Sequence, residues 1–164
     1  MRRKDREVTT VDGIKEILDS CKTVCIAMID GSAPYVVPLN YGYEMVDGKL
    51  TMYFHSAKEG RKIDILKNNN KVCVTTFSEG EPIFSETPCN SGYYYSSVIG
   101  EGTAEFIENP SEKKHALQKI VEHQMGKRFE FTDEQADSVC VFEIISSTYS
   151  GKRKPSANSY RPAL

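Results

Sequence analysis

The densest concentration of reactive side chains in this chain is the run YFHSAKEGRK at residues 53–62. It joins a strand-like stretch to IDILKNNN, whose apolar residues fall at helical spacing. A histidine, a serine, a glycine and the basic groups Lys58, Arg61 and Lys62 therefore meet at one strand-to-helix turn. Such a turn suits an anion. A glycine beside a helix start lets backbone N–H groups approach a ligand, and the helix dipole favours negative charge there. Arg61 and Lys62 add a planar fork and a point charge, both complements of phosphate oxygens, and Ser56 adds a hydroxyl donor. The turn is not a Walker loop, since GxxxxGK[ST] is absent, and GxGxxG is absent too. On residue chemistry alone, a solvated helix start with surface charges accounts for the same pattern.

Composition limits what the anion belongs to. A chain of 164 residues reads as one domain, able to bury roughly two-thirds of its unfolded surface. A formal net charge of -2, with 27% charged residues of mixed sign, argues against general nucleic-acid binding, which needs a broad basic face. No apolar run approaches the roughly 20 residues that span a bilayer. No apolar signal core follows MRRKDREVTT, so the expected location is cytoplasmic. The five cysteines (Cys21, Cys25, Cys73, Cys89, Cys140) are odd in number and irregular in spacing, as in a reduced compartment. Cys21 and Cys25 lack a second pair to complete four metal ligands and read as small buried hydrophobes, so no metal site is expected.

The elements that position the turn can be read along the chain. Ile14, Ile17, Leu18 and Cys21 recur at helical spacing after two candidate caps, Thr10 and Asp12. TVCIAMID is strand-like and closes on Asp30-Gly31; PYVVPLNYGYEMV is one extended run whose Pro34 and Pro38 forbid a helix. Asp47-Gly48 signals a hairpin returning as KLTMYFH, and a short helix over about 59–69 ends at Asn68-Asn69-Asn70. KVCVTTFS, YYYSSVIGEGTAEFIE and SVCVFEIISSTYS complete the strands, with a loop over 79–92 and a bend at Gly100 and Gly102. Asn109-Pro110-Ser111-Glu112 starts a third helix with a cap residue, a first-turn proline and an acid. Hairpin-joined strands with short helices between predict an antiparallel barrel with appended helices. The tail GKRKPSANSYRPAL lacks periodicity.

The segments MRRKDRE, PYVVPLNYGYE, YFHSAKEGRK and SSVIGEGTAEFIE, in that order, resemble the nitroimidazole-resistance family. That family belongs to the wider pyridoxamine-5′-phosphate-oxidase-like, FMN-binding split-barrel superfamily. The resemblance spans residues 1–153 as one FMN-binding domain and leaves 154–164 as a C-terminal tail. It implies a mainly β protein, a six-stranded antiparallel split β-barrel with short flanking helices, forming a homodimer with FMN at the subunit interface. The strand matching Val36, Val37, Pro38, Leu39 and Asn40 would lie along the flavin. The turn matching His55, Ser56, Gly60, Arg61 and Lys62 would hold its phosphate, with Ser96 and Ser97 close by. The implied activity is that of an FMN-dependent oxidoreductase reducing small nitroimidazole-like or related acceptors, with electrons from a separate donor. The Arg-x-His pair of true pyridoxamine phosphate oxidases is absent, and Gly151-Lys152-Arg153-Lys154 lacks the histidine, so vitamin B6 oxidation is not expected.

His55 is the candidate catalytic residue, as a proton donor titrating near neutral pH. A structural histidine and a haem ligand are its other readings, and the corresponding alternatives for the protein are a haem-binding or haem-degrading split barrel and a non-catalytic flavin-binding module. His115 and His123 are expected on the solvated side of the third helix. Cys89 reads as packing near the barrel mouth, with a redox role as the alternative. Glu59 and Asp64 either orient Arg61 and Lys62 or are solvated. Tyr93, Tyr94 and Tyr95 alternate across a strand, which leaves open which of them faces a ligand or a second subunit.

Overall fold

The computed structural model describes residues 2–154. The chain runs β1 (Glu7–Val8), α1 (Val11–Ser20), β2 (Thr23–Asp30), β3 (Ala33–Asn40), β4 (Gly42–Val46), β5 (Lys49–Ser56), α2 (Arg61–Asn68), β6 (Lys71–Ile83), β7 (Gly92–Phe106), α3 (Pro110–Met125), α4 (Asp133–Asp137) and β8 (Cys140–Lys154). All strand pairs are antiparallel. They form one eight-stranded sheet in the order β3-β2-β6-β7-β8-β5-β4, with β1 attached to β8. The outer strands β3 and β4 do not pair with each other, so the barrel stays open.

Local chemistry explains most boundaries. Thr10 caps α1 by accepting from the Gly13 N–H, and Asn109 caps α3 by accepting from the N–H groups of Ser111 and Glu112. Asp47 and Gly48 both adopt positive φ, 50° and 75°, the geometry of a tight hairpin between twisted strands. Alternation sorts the faces: Val24, Ile26 and Met28 of β2 are buried inside the barrel, while Cys25, Ala27 and Ile29 point outward. The interior also takes Leu50, Met52, Phe54, Val74, Val98, Phe142 and Ile144, and it is sealed by Ile14, Ile17 and Leu18 of α1 and Ile65 and Leu66 of α2.

Helix α3 covers the outer side of the barrel, where Ala116, Leu117 and Ile120 pack on Tyr53 and Val141. It lies so close to β4 that a Cβ on Gly42 would run into the helix backbone at Lys119 and Ile120. Glu44 fastens this contact, accepting from the Tyr53 hydroxyl at 2.8 Å, His115 Nε2 at 3.0 Å and Lys119 Nζ at 2.7 Å. Desolvation opposes the Glu44 charge, but these three hydrogen bonds together outweigh it and hold the carboxyl at about 2.

Several expectations are refined. The extended run 33–46 is two strands rather than one, because the chain changes partner: Asn40 pairs with Thr23 of β2, and Gly42 pairs with Tyr53 of β5. Tyr41 sits at the change, fully buried, its hydroxyl donating to the Leu18 carbonyl at 2.8 Å. With the two-residue β1, this division raises the expected six strands to eight. β6 continues past Ser78 to Ile83 through a register shift between Glu79 and Pro82. Residues 151–154 extend β8 instead of trailing, because the ladder with β7 holds them without an apolar pattern. His123 is half-buried, not solvated: its ring lies 4.6 Å from that of Tyr41, and its Nε2 is 2.8 Å from the Cys21 carbonyl. Cys89 is exposed. The tail from residue 155 onward lies outside the described residues.

Candidate functional site

Residues 53–62 form the strand-to-helix turn that their pattern suggests, from the end of β5 into α2. Gly60, with φ 132° and ψ 164°, occupies a conformation that side-chain-bearing residues avoid and starts α2 at the end of a short link from β5. No side chain caps α2, whereas Thr10, Asn109 and Thr132 cap α1, α3 and α4. The N–H groups of Arg61 and Lys62, which no helical carbonyl can satisfy, are left to an external acceptor. Arg61 is exposed and Lys62 half-buried.

Arg61 is held by neither of the nearby acids. Its Nε donates to Asp30 Oδ2 at 2.8 Å, and its guanidinium lies 4.4 Å from the centre of the Tyr35 ring. Asp30 and Tyr35 flank the β2–β3 turn, so the start of α2 docks on the beginning of β3. No local signal near residue 61 pointed to either partner.

His55 lies opposite Val141, and Ser56 opposite Cys140. Beyond Tyr53 the β4 side of β5 has no strand partner among the described residues, so both border the opening of the barrel. The His55 ring is exposed to solvent, yet partial desolvation lowers its pKa from 6.5. The Ser56 hydroxyl donates to the Ala57 carbonyl at 2.8 Å and must turn to donate to a ligand.

Along β3, Val36, Pro38 and Asn40 point outward, and Val37 and Leu39 face the barrel. As an edge strand, β3 offers unpaired backbone groups along one side. The Asn40 amide is engaged, donating to the Lys22 carbonyl at 3.0 Å and to Gln124 Oε1 at 3.1 Å. Ser96 is buried and bonded to Ser78 at 2.7 Å, so only Ser97 of the serine pair presents its hydroxyl to the outer face.

These residues form two groups. His55, Ser56, Gly60, Arg61 and Lys62 share one strand–turn–helix unit, which reaches the Asp30 end of β2. Ser97 lies at the other end, because it pairs with Phe77, and the preceding Thr76 donates to the Thr23 carbonyl at 2.7 Å. At about 3.3 Å per residue, an eight-residue strand separates the two groups by roughly 25 Å within one protomer. Between them, the outer face carries Ile29, Val36, Phe77 and Ile99, which are 48%, 55%, 58% and 48% exposed. A cleft of about 530 Å³ crosses this face from Ile29 and Pro34 past Cys73 to Glu101 and Ile145. Among the described residues no helix is long and apolar enough to cross a membrane, and no cluster of three acid, histidine or cysteine ligands is placed for a metal.

An open antiparallel barrel sealed by α1 and α2, with α3 laid across its wall, defines a split-barrel protein. The sequence profile of the pyridoxamine 5′-phosphate oxidase family matches residues 10–153, and the chain belongs to that family. It is 31% identical to a candidate 5-nitroimidazole antibiotic resistance protein from Bacteroides thetaiotaomicron, over 90% of this chain and 86% of that one, with a TM-score of 0.78. The same fold recurs at 16% identity in an FAD and heme binding protein from Mycobacterium smegmatis, with a TM-score of 0.77 over 92% of this chain and 74% of that one. It recurs again at 18% identity in the flavocytochrome Anf3 of Azotobacter vinelandii, with a TM-score of 0.77 over 95% and 72%. No curated protein matches the chain.

Proposed function

We propose that this protein is a cytoplasmic, homodimeric FMN-dependent oxidoreductase that reduces small nitroaromatic, nitroimidazole-like acceptors. The observation that carries this reading is the uncapped start of α2. There, two backbone donors without a side-chain cap, a guanidinium, an ammonium and a serine hydroxyl belong to one short stretch of chain, from Ser56 to Lys62, in a barrel of the pyridoxamine 5′-phosphate oxidase family. That donor set matches a phosphate monoester dianion. Gly60 and the free donors of α2, with Arg61, Lys62 and Ser56, hold the phosphate. The exposed edge of β3 from Val36 to Asn40 supports the ring system through its backbone. FMN, when bound, supplies the two-electron chemistry.

The chain contributes position and protons. Reduction of a nitro group to nitroso takes two electrons and two protons and releases water. His55, at the rim of the opening and next to the anion turn, donates one of those protons. The outer apolar face supports the dimer, since a row of exposed Ile29, Val36, Phe77 and Ile99 is costly to leave in water. A two-fold axis crossing β2 at mid-strand brings the Ser97 end of one protomer toward the Arg61 end of the other, and so unites the two groups of site residues.

The test is direct. The purified protein, reconstituted with FMN, is expected to show a bound-flavin spectrum and to sediment as a dimer. It is also expected to reduce a 5-nitroimidazole with a reduced nicotinamide as electron source. A Soret band without flavin uptake, or a flavin-loaded protein that reduces no nitro acceptor, overturns the reading.

A further inference from the structure

The two ends of the described chain meet on one face of the barrel. β1 pairs with β8 so that Glu7 lies opposite Lys152, which brings the basic stretch before β1 onto the basic end of β8. Part of this charge is neutralised locally. Arg3 lies 2.6 Å from Asp5, which also stands 3.8 Å from Arg6, and Arg153 lies 2.9 Å from Glu16. Lys152 and Lys154 form no ion pair among the described residues. In a chain of net charge -2 this is a local excess of positive charge.

The excess is organised around a tyrosine. Arg6 Nη1 donates to the Tyr95 hydroxyl at 3.3 Å, and Lys152 Nζ stands 5.5 Å from the centre of the Tyr95 ring. Desolvation opposes ionisation of this phenol, but the hydrogen bonds and charges of Arg6 and Lys152 outweigh it and lower its pKa from 10.0. In the ladder, Tyr95 faces Lys154, Ser97 faces Lys152, and Phe77 faces Ser97, so all five side chains share one outer face. Glu7 and Glu79 are the acids beside this face, and neither pairs with its cations among the described residues.

We infer that this face binds the phosphates of the electron donor, and that the donor is a nicotinamide dinucleotide carrying an additional ribose phosphate. The inference rests on the flavin reading, which requires a reductant and places Ser97 at the cofactor. The chemistry is complementary in charge. Arg6, Lys152 and Lys154, gathered around the half-buried ring of Tyr95, meet phosphate oxygens. A dinucleotide without the extra phosphate forfeits a charge-assisted contact. The phosphorylated donor therefore binds about tenfold or more tightly than its unphosphorylated counterpart.

The experiment titrates the flavin-loaded protein with NADP+ and NAD+ by calorimetry, in the wild type and in Lys152→Ala/Lys154→Ala. FMN and FAD affinities are measured alongside. Expected are a wild-type preference for NADP+ of about tenfold or more, its loss in the variant through a larger fall in NADP+ than in NAD+ affinity, and an unchanged affinity for FMN. Raising the ionic strength should weaken NADP+ binding more than NAD+ binding. Equal wild-type affinities for the two dinucleotides overturn the inference. So does a variant that weakens FAD while keeping its NADP+ preference, since the face then serves the cofactor's own nucleotide. A protein that takes up no flavin sinks the flavin reading itself, an outcome distinct from either.

Discussion

The Arg61 guanidinium proposed to serve a flavin phosphate already donates its Nε–H to Asp30, and competition between the two acceptors fixes the signs of two substitutions. The pair is close, at 2.8 Å, but its side chains are 59% and 40% exposed. An exposed ion pair of this kind contributes about 0.2–1 kcal/mol. A charge-assisted contact from the guanidinium to phosphate contributes about 1.5–3 kcal/mol. Phosphate therefore wins the arginine, at a cost that is a minor fraction of the gain. Arg61→Ala should weaken FMN roughly ten- to hundredfold, and Asp30→Asn should tighten it by a factor of about 1.5–5. In the Arg61→Ala background, Asp30→Asn should change nothing, because the competitor has lost its target. Quenching of flavin fluorescence on titration measures all four affinities, and riboflavin, which lacks the phosphate, is the control and should ignore every change. Equal losses for FMN and riboflavin would refute the phosphate assignment. Weaker FMN binding in Asp30→Asn would show that Asp30 orients the arginine instead of occupying it.

His55→Ala should retain flavin and lose turnover by about 10²-fold. Because desolvation lowers the His55 pKa from 6.5, its protonated form grows only as pH falls below that value. Wild-type turnover should therefore rise on acidification through this range, and a pH–rate profile that is the same in the variant would exclude the histidine as donor. Val36→Glu or Phe77→Glu should place a charge in the apolar face and yield monomers with weakened flavin binding, read by sedimentation at micromolar concentration. The Glu44 carboxyl is held at about 2 instead of 4.5, a linkage of roughly 3 kcal/mol. With its folded pKa depressed, this stabilisation is complete above pH 4.5 and lost as pH falls through about 2. In Glu44→Gln, urea denaturation across that window should lose that part of its pH dependence; an unaltered profile would mean the network is not a stabilising one.

What the sequence disclosed depended on how far apart the interacting residues stand. Asn109-Pro110 and Asp47-Gly48 act within one turn, so helix and hairpin could be placed from a few letters. The strand-to-helix turn at 53–62 was equally plain, since histidine, serine, glycine and the basic groups fall within ten positions. Arg61 and Asp30 are a different case: they stand 31 positions apart and meet only because α2 folds back on the β2–β3 turn. The division of 33–46 was hidden for a related reason. Both halves are extended, and only the identity of the neighbouring strand changes between Asn40 and Gly42. His123 looked solvated on the helix, but Tyr41, between β3 and β4, and Tyr43 of β4 cover it. Ser96 and Ser97 are adjacent in the sequence, but which of the two turns outward depends on strand register.

Of the described strands β8 is made last, yet it lies in the middle of the sheet between β7 and β5. While the ribosome is still adding residues 140–154, every other described strand has already been synthesised, and β5 and β7 wait with open edges. Neither can be satisfied by a local hairpin, because α3 and α4 separate β7 from the strand that completes it. The sheet can then be completed only once residues 140–154 are made, through pairings such as Leu50 with Ser146 and Glu7 with Lys152 that join distant parts of the chain. Such contacts form slowly, and waiting edges invite pairing with other nascent chains. A chaperone that shields β5 and β7 until β8 is made should therefore raise the yield of native protein, and a pause in translation before β8 should lower it.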